Sequence, residues 1–147
     1  MHYIPVYEVQ LVRDSSVKSD YNTIRKPEDA YNILTTYLAG TDREHVVILL
    51  LNTKNKLIGI NTVSVGSLSA SIIHPRELFK TAILANAGSI IVAHNHPSGD
   101  PAPSREDMAV NRRLVDAGNL LGITVRDHVI VCDDSFFSFN EKGLMPA

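Results

Sequence analysis

Between residues 89 and 107 the chain reads SIIVAHNHPSGDPAPSRED. The first five residues, Ser89 to Ala93, are mostly apolar and β-branched, which predicts a short buried strand. A loop stiffened by three prolines follows, and from Ser104 the apolar positions recur at helical spacing as far as Leu121. The stretch therefore predicts a strand, a loop and a helix in succession, as in a sheet that is covered by helices.

The sequence on both sides of this stretch continues the alternation of strands and helices. The other predicted elements are a strand over Val6 to Arg13, a helix from Pro27 to a stop at Gly40, a hairpin of strands over Glu44 to Leu51 and Leu57 to Val65, a helix over Pro75 to Ala87, and strands over Ile123 to Cys132 and Phe136 to Phe139. This order predicts a mixed sheet with helices on its faces, an α/β or α+β sandwich. No shift in composition marks a boundary, so residues 1–147 are expected to form a single domain in which residues 1–26 add an N-terminal strand and loop.

The composition excludes several classes of protein. The chain has 147 residues, 44% of them hydrophobic and 20% charged, and its net charge of -2 provides no global basic field for binding nucleic acid. The longest apolar run, Val46 to Leu51, is too short to cross a membrane, and no targeting signal is recognised at the start, so a cytoplasmic location is expected. The lone Cys132 can form neither an internal disulfide nor a paired-cysteine zinc site, and is most simply a small buried residue.

Two histidines and an aspartate form a candidate metal site. His94 and His96 are two residues apart as the chain leaves a strand, so their imidazoles lie on the same side and can reach one ion. The loop returns Asp107 on the first turn of the next helix. Three such ligands leave one coordination position open, which is typical of catalytic zinc sites. The pattern therefore predicts a metal site at His94, His96 and Asp107 with one open coordination position.

A purely structural explanation of the same residues remains open. Ser104 and Asp107 have the spacing of a helix capping box, and His94 and His96 could be loop histidines that bond to the backbone. The whole pattern is nevertheless rare, expected by chance in about one chain per thousand of this composition. Ser104 could serve both in the cap and in catalysis.

The stretch from His94 to Asp107 resembles the JAMM (MPN+) metalloprotease motif, in the version found in the bacterial RadC-like proteins. Flanking segments agree with that family at Arg43 to His45, Asn52 to Lys56, His74 to Glu77, Ala85 to Ala87 and Asp127 to His128, and the likeness covers about residues 27 to 143. The resemblance implies a three-layer α/β/α sandwich related to the cytidine-deaminase fold. It also implies that zinc is bound by His94, His96 and Asp107.

The resemblance further implies two catalytic residues. Glu44 would act as the general base and then the general acid on the attacking water, a role for which Glu8, Glu28 and Glu77 are rivals on sequence grounds alone. Ser104 would stabilise the oxyanion of the tetrahedral intermediate. If the start of the strand at Glu44 lies beside the end of the strand at Ala93, Glu44 would be near the metal.

Three further residues are candidates for supporting roles around the ligands. Asp127 and His128 could orient a metal ligand, although a hydrogen-bonding role in the core explains them equally well. His74, with Arg76 and Glu77, could order the neighbourhood of the site, but a role at the start of the following helix is favoured.

The sequence thus predicts a zinc-dependent JAMM-type hydrolase that cleaves a peptide or isopeptide bond of an unidentified peptide or protein substrate. An alternative is a non-catalytic metal-binding module of a DNA repair or mobile-element system. Nucleobase deamination is disfavoured because its zinc site requires a pair of cysteines. RadC-like proteins usually carry a helix-hairpin-helix region, and only Met1 to Lys26 precede the shared part here. With the acidic net charge, this weighs against direct nucleic-acid binding, and no membrane partner is expected.

Overall fold

The computed structural model describes residues 1–66 and 73–146. The helices within these ranges are α1 (Pro27–Tyr37), α2 (Pro75–Leu84) and α3 (Arg105–Leu121). The strands are β1 (His45–Leu51), β2 (Leu57–Val65), β3 (Ser89–Asn95), β4 (Thr124–Val131) and β5 (Phe136–Ser138). None of the helices described is both long and apolar enough to span a bilayer.

The five strands form one mixed sheet in the order β2-β1-β3-β4-β5. Neighbouring strands are antiparallel except β3 and β4, which run parallel and are joined through α3. A parallel pair needs a crossover connection, and α3 supplies it. The prediction of an α/β fold with a mixed sheet and helices on its faces is confirmed.

Side chains of β1 alternate between two apolar cores, one on each face of the sheet. Val46, Ile48 and Leu50 pack with buried residues of α2 and α3. Val47, Leu49 and Leu51 pack on the other face with buried residues of α1. Because both faces are covered, β1 is apolar throughout its buried length and shows no alternation of polar residues. The result is three layers, with α1 on one side of the sheet and α2 and α3 on the other.

Two predicted boundaries differ from the structure, and the first of them affects the site. The strand predicted over Ser89 to Ala93 continues as far as Asn95, so His94 belongs to β3 and lies within the sheet. The helix predicted over Pro75 to Ala87 ends at Leu84. Because His94 and Asn95 are polar, a prediction based on apolar runs ends the strand too early, at Ala93.

The prediction of a strand over Val6 to Arg13 was wrong. This segment has no regular secondary structure, and Tyr7 and Val9 are 81% and 70% exposed. An alternating pattern makes a strand only when a neighbouring strand satisfies its backbone groups, and in the described part of the chain none pairs with residues 6–13. The N-terminal segment pairs with the rest of the chain at Thr23, which forms an isolated antiparallel bridge with Lys56, the residue before β2.

Candidate metal centre

The pairing of β1 with β3 places the candidate site at one end of the sheet. Val46 lies opposite His94 in this antiparallel pair, so the start of β1 is beside the end of β3. Glu44, immediately before β1, is thereby brought near His94, as the sequence led us to expect. His94 is fully buried, and by strand alternation its side chain shares the face of Ile90 and Val92, which is the face that α3 covers.

Three predicted ligands converge at this end of the sheet. The Nε2 atoms of His94 and His96 are 3.0 Å apart. From the first turn of α3, Asp107 places Oδ1 at 3.2 Å from Nε2 of His94 and Oδ2 at 3.3 Å from Nε2 of His96. A strand, a loop and a helix therefore each contribute one group to the same point.

The spacing of these atoms suits a zinc ion. Tetrahedral zinc with bonds of about 2.0–2.1 Å places its ligand atoms about 3.3 Å from one another. At the site the two Nε2 atoms are 3.0 Å apart, and each lies 3.2 or 3.3 Å from a different oxygen of the Asp107 carboxylate. Nitrogen and carboxylate oxygen are also the donors that zinc uses most when cysteine is absent. The donor types therefore suit zinc, and the donor groups are close enough together to share one ion.

The protonation states at the site also favour a cation. Nδ1 of His96 lies 2.8 Å from the carbonyl oxygen of Asp100, which can only accept, so the hydrogen of a neutral His96 is on Nδ1 and its Nε2 lone pair faces the site. Burial alone would raise the pKa of Asp107. Its hydrogen bonds with His94 and with the Ser104 N–H outweigh burial and hold that pKa well below the usual range. Asp107 is therefore ionised at neutral pH.

Glu44 stands beside the same histidines at a greater distance. A carboxylate oxygen of this half-buried residue lies within 4.8 Å of ring nitrogens of His94 and His96, and the three residues form a group that could hold a metal ion. Asn95 fixes the backbone around Glu44. Its Oδ1 accepts the N–H of His45, and its Nδ2 donates to the carbonyl oxygen of Arg43.

Ser104 is the N-cap of α3 and forms the capping box that its spacing with Asp107 predicted. The Ser104 Oγ accepts the N–H of Asp107 at 3.0 Å, and the Ser104 N–H donates to Oδ2 of Asp107 at 2.8 Å. The cap uses the hydroxyl as an acceptor, so its hydrogen is available to another group. Ser104 is exposed, and a substrate could reach this hydrogen.

His128 contacts one of the candidate ligands directly. Its Nε2 lies 2.9 Å from Nδ1 of His94, and its ring stacks on Phe139 with centroids 4.6 Å apart. Burial lowers the pKa of His128 well below the usual range, so the ring is neutral at pH 7. The structure therefore places His128 where it can orient His94.

Asp127 and His74 make hydrogen bonds that stabilise a turn and the start of a helix, respectively. Asp127 accepts hydrogen bonds from the backbone of His128, from the Ser138 hydroxyl and from the backbone of Asn140, and so holds the turn after β5. His74 is the N-cap of α2, where its carbonyl oxygen accepts the N–H groups of Glu77 and Leu78. Both sets of contacts are structural.

Two residues near the site were not identified from the sequence as its supports. Asn95 lies between the two histidines, and Asn111 accepts a hydrogen bond at Oδ1 from Nδ1 of His128. Asn111 interrupts the buried apolar face of α3 one helical turn after Asp107. A polar residue on an apolar helix face, at this spacing from a candidate ligand, was the signal that could have found it.

Comparison with known proteins gives matches over most of the chain. The model of the RadC-like JAB domain matches residues 24–144. The chain is 52% identical over 128 residues to a UPF0758 protein of Caldanaerobacter subterraneus subsp. tengcongensis, a match that covers 87% of this chain and 55% of the relative. It is 50% identical over 126 residues to UPF0758 protein YsxA of Bacillus subtilis, covering 86% of this chain and 54% of the relative.

The match with a UPF0758 protein of Alkaliphilus metalliredigens is longer. It extends over 139 residues at 47% identity and covers 93% of this chain and 60% of the relative. The chain thus spans between half and two thirds of the length of these relatives. Because the domain match includes β1, β3 and the start of α3, and with them every group at the candidate metal centre, the chain belongs to the family of RadC-like JAB-domain proteins.

Proposed function

We propose that this protein is a zinc-dependent metallohydrolase of the JAMM type, which cleaves a peptide or isopeptide bond. The observation that carries the proposal is the convergence of His94, His96 and Asp107 within 3.3 Å of one another, with Glu44 beside them. Three protein ligands leave a coordination position open, whereas structural zinc sites usually have four. Membership of a family that includes metallopeptidases supports the same function.

In this proposal the two carboxylates have different roles. Asp107 approaches both imidazole nitrogens at 3.2 and 3.3 Å, while Glu44 is placed only within 4.8 Å of the histidines. We therefore assign Asp107 as the third ligand and Glu44 as the base. When bound, a zinc ion would supply Lewis acidity, which acidifies water and polarises an amide carbonyl at neutral pH.

The residues of the chain would then move one proton during hydrolysis. Glu44 takes the proton from the attacking water as the new carbon–oxygen bond forms at the carbonyl. The Ser104 hydroxyl donates a hydrogen bond to the carbonyl oxygen, which becomes negatively charged. As the carbon–nitrogen bond breaks, Glu44 passes the proton to the departing amine, leaving a carboxylic acid and an amine as products.

The direct test is a peptide-library digestion by the zinc-loaded protein, compared with the Glu44→Gln variant. The amide of Gln is nearly the same size as the carboxylate but cannot take up the proton. We expect cleavage by the wild type and none above background by the variant, with zinc content unchanged. A matched Glu106→Gln variant, changed at an exposed position of α3, should cleave like the wild type.

The outcomes separate the enzyme from the non-catalytic alternative. Equal cleavage by the wild type and Glu44→Gln would remove Glu44 from the mechanism. A zinc-loaded wild type that cleaves no peptide or isopeptide substrate would favour the metal-binding module.

A further inference from the structure

A bulge near the end of β2 turns Ser64 towards the candidate metal centre. The register of β1 with β2 shifts there by one residue, so that Val46 lies opposite Ser64 on one side and opposite His94 on the other. Residues that lie opposite one another share a face of the sheet, so Ser64 is on the face of His94. Without the extra residue Ser64 would lie opposite His45 and face the other side. Bulges that redirect a side chain in this way are common beside active sites.

Glu44 is a diagonal neighbour of Ser64 on this face. The Gly66 N–H donates to the carbonyl oxygen of Glu44 at 2.7 Å, so the pairing with β2 continues one residue beyond β1. Glu44 is two residues from Val46 and therefore shares its face, in agreement with a carboxylate oxygen that lies within 4.8 Å of a ring nitrogen of His94. Diagonal neighbours on adjacent strands are within reach of long side chains, so the Glu44 carboxylate is within reach of Ser64.

The hydroxyl of Ser64 is a buried donor that is not in use. Its oxygen is shielded from solvent, and among the residues that the structure describes no hydrogen-bond partner is found for it. A buried hydroxyl that forms no hydrogen bond costs free energy that an alanine would avoid. The bulge and the unpaired hydroxyl are independent observations, and both point to a role for Ser64 at the site.

We propose that Ser64 is a positioning residue for Glu44, whose hydroxyl donates a hydrogen bond to the Glu44 carboxylate when a metal ion is bound. The carboxylate lies near ring nitrogens of His94 and His96. A metal ion bound to these nitrogens would occupy their lone pairs, and the carboxylate would then need a donor from elsewhere on the same face. One hydrogen bond from Ser64 leaves the second carboxylate oxygen free to act as the base. The inference deepens the proposed function and rests on it, because it concerns the same base.

Urea denaturation of the metal-free full chain tests whether the hydroxyl is unpaired. Ser64→Ala removes it, and we expect the urea midpoint to stay the same or rise. Ser138→Ala is the matched control, because the Ser138 hydroxyl donates to Oδ2 of Asp127 and accepts the Glu141 N–H, and its midpoint should fall. A lower midpoint in Ser64→Ala, or failure of this variant to fold, would show that Ser64 already has a partner and would overturn the proposal.

The same measurement with zinc tests the contact with Glu44. At saturating zinc the hydroxyl gains its partner, so Ser64→Ala should now lower the midpoint relative to the wild type. In a Glu44→Ala background the hydroxyl has no carboxylate to bond, and the effect of Ser64→Ala should be the same with and without zinc. A midpoint difference that does not change on adding zinc, or that changes equally in the Glu44→Ala background, would overturn the proposal.

Activity gives a separate readout. Ser64→Ala should keep its zinc, and its kcat on a peptide that the wild type cleaves should fall by about 10- to 100-fold with KM unchanged, because Ser64 holds the base and does not touch the substrate. Ser64→Thr keeps the hydroxyl and should restore most of kcat, whereas full kcat in Ser64→Ala would overturn the positioning role. If zinc changes the stability as expected but the wild type cleaves no peptide, the proposed hydrolase is refuted and the contact of Ser64 with Glu44 stands.

Discussion

Asn95 holds the backbone on both sides of Glu44. Its Oδ1 accepts the N–H of His45 at 2.6 Å, and its Nδ2 donates to the carbonyl oxygen of Arg43 at 2.8 Å. The residue between the two candidate histidine ligands thus also fixes the segment that carries the candidate base. A direct link between β3 and the start of β1 therefore sets the position of Glu44 relative to the candidate histidine ligands.

Asn95→Ala should weaken both the fold and the action of Glu44. The variant leaves the His45 N–H and the Arg43 carbonyl without their partner, and we expect the free energy of unfolding to fall by about 1–3 kcal/mol in chemical denaturation. The candidate zinc ligands are untouched, so zinc content should be retained while kcat falls on a peptide that the library digestion shows to be cleaved. Asn119→Ala, on the exposed side of α3, is the control and should change neither. Full activity in Asn95→Ala would show that Glu44 needs no such support.

The two carboxylates should differ in their effect on metal content. We expect Asp107→Asn to lose at least about tenfold in zinc affinity, since a charged ligand and the partner of both histidines are removed together. Glu44→Gln should retain about one zinc ion per chain by elemental analysis. The reverse result, with zinc lost only in Glu44→Gln, would make Glu44 the third ligand.

Asp127 should give the protein a stability that depends on pH in a defined direction. Burial raises the pKa of this carboxyl, so the folded state binds the proton more tightly than the unfolded state. Its contribution is then greatest below the unfolded pKa of about 3.9 and declines as pH rises through the raised folded pKa.

Asp127→Asn isolates this effect because every other titrating group is common to both proteins. The amide oxygen can still accept the two backbone N–H groups that Oδ1 of Asp127 accepts, from His128 and Asn140. Relative to the wild type, the variant should gain stability as pH rises from about 3.5 to 7, measured by urea denaturation. A difference that is constant over this range, or that moves the other way, would contradict the raised pKa.

Gly118 should resist substitution although it lies within a helix. A Cβ at this position would overlap the carbonyl oxygen of Ile123 and press on Phe79 and Val125. Gly118→Ala should therefore lower the free energy of unfolding by about 1–3 kcal/mol, despite the higher helix propensity of alanine. Asn119→Ala in the same helix should be neutral or slightly stabilising. A stabilised Gly118→Ala would mean that α3 can shift away from β4 without cost.

The sequence predicted most elements of the fold because apolar spacing reports burial directly. The predicted strand Leu57 to Val65 coincides with β2, and the helix that starts after Ser104 ends at Leu121 as expected. The pattern failed where a strand carries polar residues into a site, at His94 and Asn95, and where an alternating segment has no partner, at residues 6–13.

The sequence predicted the candidate metal ligands but only some of the residues that hold those ligands in place. His94, His96 and Asp107 are close in sequence, and local geometry brings them together. The contact of His94 with Asn111 through His128 depends instead on how α3 and β4 pack in the folded chain. Spacing along the sequence carries little of that information.

The capping box of α3 has a consequence for the metal-free protein. Oδ2 of Asp107 accepts the Ser104 N–H as part of the helix cap, so the carboxylate is held in place by the helix itself. An incoming ion would bind to a carboxylate that is already in position, and binding would not have to order a flexible loop. Metal uptake should then cost little conformational entropy, and the empty and loaded forms should have nearly the same backbone.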